Sequence, residues 1–382
     1  MKRVGWIALM LLLAVPAFSA AARKITVAEL QEMLAAMRKQ GKSDADVATA
    51  LKQVMLSEQL DRATTNSLIN EVPGKLATEQ MYVFEARSAL LPPPPSCIPA
   101  TPPLDAAKQE ALLTKAASYA SGTWAQLPSL TATKATLRFQ DNVEALADAS
   151  GIRSGSTDSN TGLWVNPYNY IHYITSSDTE IALDKGAEKL PRDTNQWGRN
   201  KMIESMEPDP DLATIFADAR QYGGLKWERW QLVNGKPAAV FSYNVPKKKS
   251  KMAVDVCCFP LVDQAGVISP PDGSRGNFQT NTEWDHYKEK NVGYHGEFFI
   301  DPDTGVIVRM NTIDEQKSSD MVHQLDTRID YGPVAVGGKA LILPIRSFLI
   351  TEVVPNGEAG AGGISTRTTL FISDYKNYTP GR

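Results

Sequence analysis

From Leu127 onward the sequence alternates. Nine segments, LTATKATLRFQ, LKWERWQLV, AAVFSYNV, KMAVDVCCF, YHGEFFI, VIVRMNTI, MVHQLDTRIDY, KALILPIRSFLI and TRTTLFISDY, are rich in branched and aromatic residues recurring at period two. That pattern predicts strands. Short connections join several of them: VNGKP between Val233 and Ala238, DPDTG between Ile300 and Val306, and GPVAVGGKA between Tyr331 and Leu341. A parallel pair needs a crossover of about a dozen residues or more, so neighbours joined this way are antiparallel. The expected main domain is therefore a large antiparallel sheet. One or two helices are expected near residues 200–223, ending at the glycines after EPDPDLATIFADARQY.

Alternation also sorts the faces. Phe241, Tyr243 and Val245 share one side, as do Met252, Val254, Val256 and Cys258. Tyr294, Gly296, Phe298 and Ile300 oppose His295 and Glu297, and Val306, Val308 and Met310 oppose Arg309 and Asn311. One side is predicted apolar and the other wet. An apolar face of this breadth has to be covered, closed on itself or filled by a ligand. Phe241, Tyr243, Val254, Val256, Phe298, Ile300, Val308 and Met310 are the expected lining of a ligand cavity.

Ahead of the sheet lie a signal (residues 1–21), a helical region (22–91) and a proline-rich linker (92–103), with the sheet domain at 104–382. Lys2 and Arg3 precede the apolar run Val4–Val15, then come Pro16 and small residues, the order of a secretory signal cleaved near Ala20–Ala22. No cysteine for lipid attachment stands at that cut, and no later apolar run is long enough to span a bilayer, so an exported, soluble mature chain is expected. TVAELQEMLAAMRKQ, DADVATALKQVMLSEQL and KLATEQMYVFEARSALL read as three amphipathic helices, with a capping box from Thr26 to Glu29 and a second start at Ser43. Four consecutive prolines from Pro92, and three more by Pro103, predict a stiff spacer. DAAKQEALLTKAASYA leads onward as a short helix.

The stretch YHGEFFIDPDTGVIVRM sets His295, Glu297, Asp301 and Asp303 close together, inviting a carboxylate–histidine site or a calcium site on the two aspartates. The hairpin reading is preferred, because His295 and Glu297 fall on a strand and DPDTG is turn chemistry. The formal net charge of −3 offers no basic face for a nucleic acid. Cys97, Cys257 and Cys258 allow one disulfide, from Cys97 to Cys257 or Cys258.

Motifs for a serine nucleophile elbow, a zinc-binding HExxH, a phosphate-cradling loop or a dinucleotide fold are missing, so no catalytic residue, metal or cofactor is assigned. His172, His286, His295 and His323 are scattered. Glu283, Asp285 and His286 form the densest polar group, read as a solvated loop ahead of a hydrolase site. Lys247, Lys248, Lys249 and Lys251 mark a hairpin tip that guards an edge or meets anionic headgroups. Trp164, Tyr168, Tyr170 and Tyr173 read as a packed loop, ahead of a lid over the cavity or a carbohydrate-contacting loop.

The stretches YHGEFFIDPDTGVIVRM, RIDYGPVAVGGKALILPIRS and LFISDYKNY, preceded by LKWERWQLVNGKPAAVFSYNVP, resemble a group of poorly characterised exported bacterial proteins. In architecture, residues from Leu127 to Tyr378 resemble the periplasmic lipoprotein-carrier (LolA/LppX-like) fold. The resemblance implies an α+β fold, with the sheet curved into an incomplete barrel whose apolar hollow holds acyl chains beneath covering helices. The expectation is a non-catalytic envelope protein that binds a lipid or acylated ligand. The alternative is an assembly module whose residues 26–91 grip an envelope protein.

Overall fold

The computed structural model describes residues 23–140, 171–189, 204–206, 212–259, 285–317, 322–353 and 367–381. The N-terminal unit comprises β1 (Arg23–Ile25), α1 (Val27–Lys39), α2 (Asp44–Lys52), β2 (Val54–Leu56), α3 (Arg62–Ile69) and α4 (Lys75–Arg87). Capping boxes Thr26–Glu29 and Ser43–Asp46 start α1 and α2. The long helix read from Asp44 to Leu60 is not formed. It stops at Lys52, β2 pairs in parallel with β1, and Asp61 caps a separate α3 by accepting the Thr64 amide. Tertiary pairing here overrides helical periodicity.

Beyond the linker come α5 (Ala106–Ser118), a π-helical turn at Tyr119–Trp124, β3 (Leu130–Gln140), β4 (His172–Asp184), β5 (Ala187–Lys189), β6 (Glu204–Met206) and α6 (Leu212–Tyr222). Then follow β7 (Lys226–Val233), β8 (Lys236–Val245), β9 (Ala253–Phe259), β10 (Asp285–Lys290), β11 (Gly293–Ile300) and β12 (Ile307–Glu315). The chain closes with β13 (Val322–Val336), β14 (Lys339–Val353) and β15 (Arg367–Pro380).

The fold is α+β, with a ten-stranded antiparallel sheet in the order β5-β4-β3-β15-β14-β13-β12-β11-β8-β7 and a smaller sheet β10-β9-β6. The large sheet is not closed, and its edges are β5 and β7. At about 4.8 Å per strand, a flat sheet of ten strands would be roughly 43 Å wide. One apolar cluster nevertheless joins Leu130 and Ile181 near one edge, Trp230 at the other, and Leu112, Trp124 and Phe216 of the covering segments. The sheet therefore wraps around α5, the π-helical turn and α6, as an incomplete barrel does.

All nine segments read as strands are strands. The turn placed between Tyr331 and Leu341 is tighter than expected, since β13 continues to Val336 and only Gly337 and Gly338 turn the chain. The lysine tip is not a hairpin, because β8 belongs to the large sheet and β9 to the small one. Asp285 and His286, read as loop, begin β10, paired against β9, and Glu283 lies outside the described residues. Trp164, Tyr168 and Tyr170 also lie outside them, whereas Tyr173 sits in β4 with its ring edge-on to Phe139. Among the described residues, no helix is long and apolar enough to cross a membrane.

The polar side of the sheet is wet only in part, as at His295, and is elsewhere covered by the N-terminal unit. Val83 and Ala86 of α4 pack on Phe348, Ile350, Leu370 and Ile372. The proline segment then passes the β7 edge, where the Trp230 indole donates to the Pro102 carbonyl at 2.8 Å, and α5 follows on the apolar side. The linker thus shields an edge strand that would otherwise be a template for association.

Candidate functional site

The expected cavity lining divides into four groups. Phe241, Tyr243, Phe298, Ile300 and Met310 share one cluster and are at most 3% exposed. The hollow they were expected to line is filled by the chain itself: Phe216 of α6 packs edge-on to Phe298 at 5.0 Å, and Tyr243 stacks on Phe298 at 4.6 Å. Val254 packs in a separate cluster with Leu325, Leu349 and Phe371, and Val256 lies in β9 opposite Tyr287 and Ser205. Val308 is on the opposite side, against Val240 and Phe299. The register explains the exception: Phe299 pairs with Arg309 and Ile300 with Ile307, so Val308 is the extra residue of a β-bulge and period two fails there.

Tyr294 to Met310 is a hairpin. Asp301 accepts from the Asp303 and Thr304 amides, and Gly305 takes a φ of +77° while packing directly on Lys115 of α5. A side chain at Gly296 would collide with the Asn311 carbonyl and come within 2.9 Å of the Tyr243 hydroxyl. That space lets Tyr243 cross the strand and donate to Asn311 O at 2.8 Å. His295 lies 3.7 Å from Glu315, both 44% exposed, and Glu297 pairs with Arg229. The four histidines occupy four strands, and no cluster able to hold a metal occurs among the described residues.

Other residues of the quoted stretches build the seam beneath the N-terminal unit. Arg309 and Arg328 both bond Asp330, and Arg346 bridges Glu85 of α4 and Asp374 at 2.7 Å each. Arg62 of α3 also reaches Asp374, and Arg328 donates to the Ala89 carbonyl. Burial pushes the Asp330 carboxyl up, but Arg309 and Arg328 together hold it well below the usual carboxylate range. Burial and the neighbouring Arg328 lower Arg309 to about 10. Glu85 is pushed up by burial despite Arg346, Arg328 and Arg62 around it. Alternation had marked Arg309 as solvent-facing, and the arrangement here is a closed clasp.

Cys97 is a free thiol in a short 3₁₀ turn at Pro95–Cys97, so the bridge considered from Cys97 to Cys257 or Cys258 is not formed. Asp61 and Arg309 lie near Cys97, on the N-terminal side of the sheet, while β9 approaches the other side through Val254.

Open space remains at one end of the apolar side. A pocket of about 530 Å³ has Tyr119, Trp124, Leu127, Val306, Leu341 and Ile342 as its apolar lining, with Thr114, Lys115, Thr123 and Thr304 among its polar residues. Its wall is the π-helical turn, a local geometry often found at functional positions. The Tyr119 hydroxyl is buried without a hydrogen-bond partner. Lys115 donates to the Asp303 carbonyl at 3.1 Å. Sequence reasoning missed this pocket: none of the expected cavity-lining residues borders it, because its residues come from a helix end, the β11–β12 turn and the start of β14.

No family model and no curated protein matches the chain. Among solved structures, the Pseudomonas aeruginosa MucA/MucB complex covers 72% of this chain and 100% of its own matched chain, at 9% identity and a TM-score of 0.19. A crystal structure of MucB in complex with MucA(peri) covers 71% and 98%, at 10% identity and a TM-score of 0.11. At such scores the similarity carries no argument, and the chain's role rests on its own residues.

Proposed function

We propose that this is an exported, non-catalytic envelope protein that holds an acyl-chain ligand in the pocket between the π-helical turn and the β11–β12 and β13–β14 turns. The observation that carries the reading is the pocket itself: about 530 Å³ of apolar-floored space, inside the range of about 300–1,000 Å³ usual for small-molecule sites. Tyr119 supplies an unpaired donor for a ligand carbonyl, and Lys115 places a cation at the rim for an acidic head group. The acyl chain enters at the end of the sheet, since the broad apolar face is occupied by the protein's own helices.

Uptake of a fluorescent fatty acid by the mature chain tests this. Thr123→Trp should fill the pocket and abolish uptake, and Tyr119→Phe should weaken it about fivefold, the value of one hydrogen bond of about 1 kcal/mol. No uptake by the wild type, or undiminished uptake by Thr123→Trp, rejects the proposal. The alternative, an assembly module whose residues 26–91 grip an envelope protein with the sheet as scaffold, would have to use α1–α3, because α4 is committed to the sheet.

A further inference from the structure

The strand register places one transverse row of side chains across the apolar side, away from the pocket. Gln140 of β3 pairs with Thr369 of β15, Thr369 with Thr351 of β14, and Thr351 with Leu325 of β13. Phe371 and Leu349, two residues along their strands from Thr369 and Thr351, pack with Val254 of the small sheet and with Val292, so the row faces that layer. Gln140, Thr351 and Thr369 are at most 1% exposed. Yet both polar atoms of the Gln140 amide and the hydroxyls of Thr351 and Thr369 have no hydrogen-bond partner.

Adjacent strands burying four orphaned polar atoms side by side is not what packing alone selects, because a buried polar group without a partner is costly and valine would fill the threonine positions as well. Polar residues repeated on three neighbouring strands are instead what a bound polar group requires. The three span about 10 Å, two strand spacings. All three are neutral, and hydroxyl and amide groups both donate and accept. A charged ligand would find no countercharge among them, whereas vicinal hydroxyls would match each group in turn.

We propose that Gln140, Thr351 and Thr369 form a binding site for a neutral, multiply hydroxylated group, held between the large sheet and β9. Such a group is carried by a free sugar or by the head of a neutral lipid, and two probes separate these sources. Trehalose and monooleoylglycerol are each titrated into the full mature chain by calorimetry, with the melting temperature followed in parallel. One of them should bind, and Thr351→Val/Thr369→Val and Gln140→Leu should each weaken that binding at least tenfold while the melting temperature stays level or rises. Binding of trehalose identifies a sugar, and binding of monooleoylglycerol alone a lipid head group.

Absence of binding by either probe overturns the proposal, as does binding that survives both variants. A crystal structure showing the row satisfied by ordered water only, with a probe present, overturns it as well. Because Thr123→Trp leaves this row intact, loss of fatty-acid uptake and loss of polyol binding are independent outcomes.

Discussion

Asp314 offers the most demanding test of the interior. It lies on β12 opposite Tyr294, 6% exposed, and neither carboxylate oxygen has a hydrogen-bond partner. Burial, with a smaller contribution from Asp326, raises its pKa from the ordinary 3.8 to about 8. Between these values the unfolded chain releases the proton and the native chain keeps it, so stability falls as pH rises and levels off above about 8. A shift of about four units at about 1.36 kcal/mol each sets a ceiling of roughly 5 kcal/mol on the destabilisation. Asp314→Asn keeps the shape and neutral state of the protonated acid but cannot ionise. Urea denaturation at half-unit pH steps should therefore give equal stabilities near pH 4 and a growing advantage for the variant, reaching several kcal/mol at pH 8. Asp326, raised by burial to about 6, titrates in both proteins and leaves a residual slope below that pH. Parallel curves from pH 4 to pH 8 would refute the reasoning, since they would mean Asp314 is solvated or paired.

The clasp and the hairpin give further expectations. Glu85→Ala strands the buried Arg346 without one of its two carboxylates and should cost about 3–5 kcal/mol in chemical denaturation, whereas Glu85→Gln should cost less. Gly296→Ala forces a methyl against the Asn311 carbonyl and the Tyr243 hydroxyl, and a loss of at least about 1–3 kcal/mol is expected by thermal melting. Val308→Thr, against the cluster of Val240 and Phe299, should lower stability without altering fatty-acid uptake, which a fluorescence titration would show.

Period two made the antiparallel sheet legible, because a strand packed on one side records its faces in every second residue. β4 escaped notice because YITSSDTE mixes small and polar residues along a partly exposed stretch. The bulge at Val308 could not be read from its own strand, since an extra residue is defined only against the partner's register. The seam was hidden for a different reason. Alternation separates apolar from polar residues, so Arg309 read as solvent-facing, and nothing in the pattern shows that α4 and the turn after it bring Glu85 and the Ala89 carbonyl to Arg346 and Arg328. The pocket left still less trace, being assembled from a helix end and two turns. The stretches that carried the family resemblance prove to be the hairpin turn and the arginine clasp, which specify how the chain is held together.

The clasp also sets an order of events during synthesis. Arg62 and Glu85 leave the ribosome long before Asp374 and Arg346, their partners 312 and 261 residues later. Until the final two strands arrive, the helical unit can form its own small core, but Arg62 and Glu85 lack the side chains they bond. A chain stopped short of Arg346 would keep its helices and their contacts to Arg309 and Arg328, but would lack the partners of Glu85 and Arg62, so the docking is completed only by the last strands.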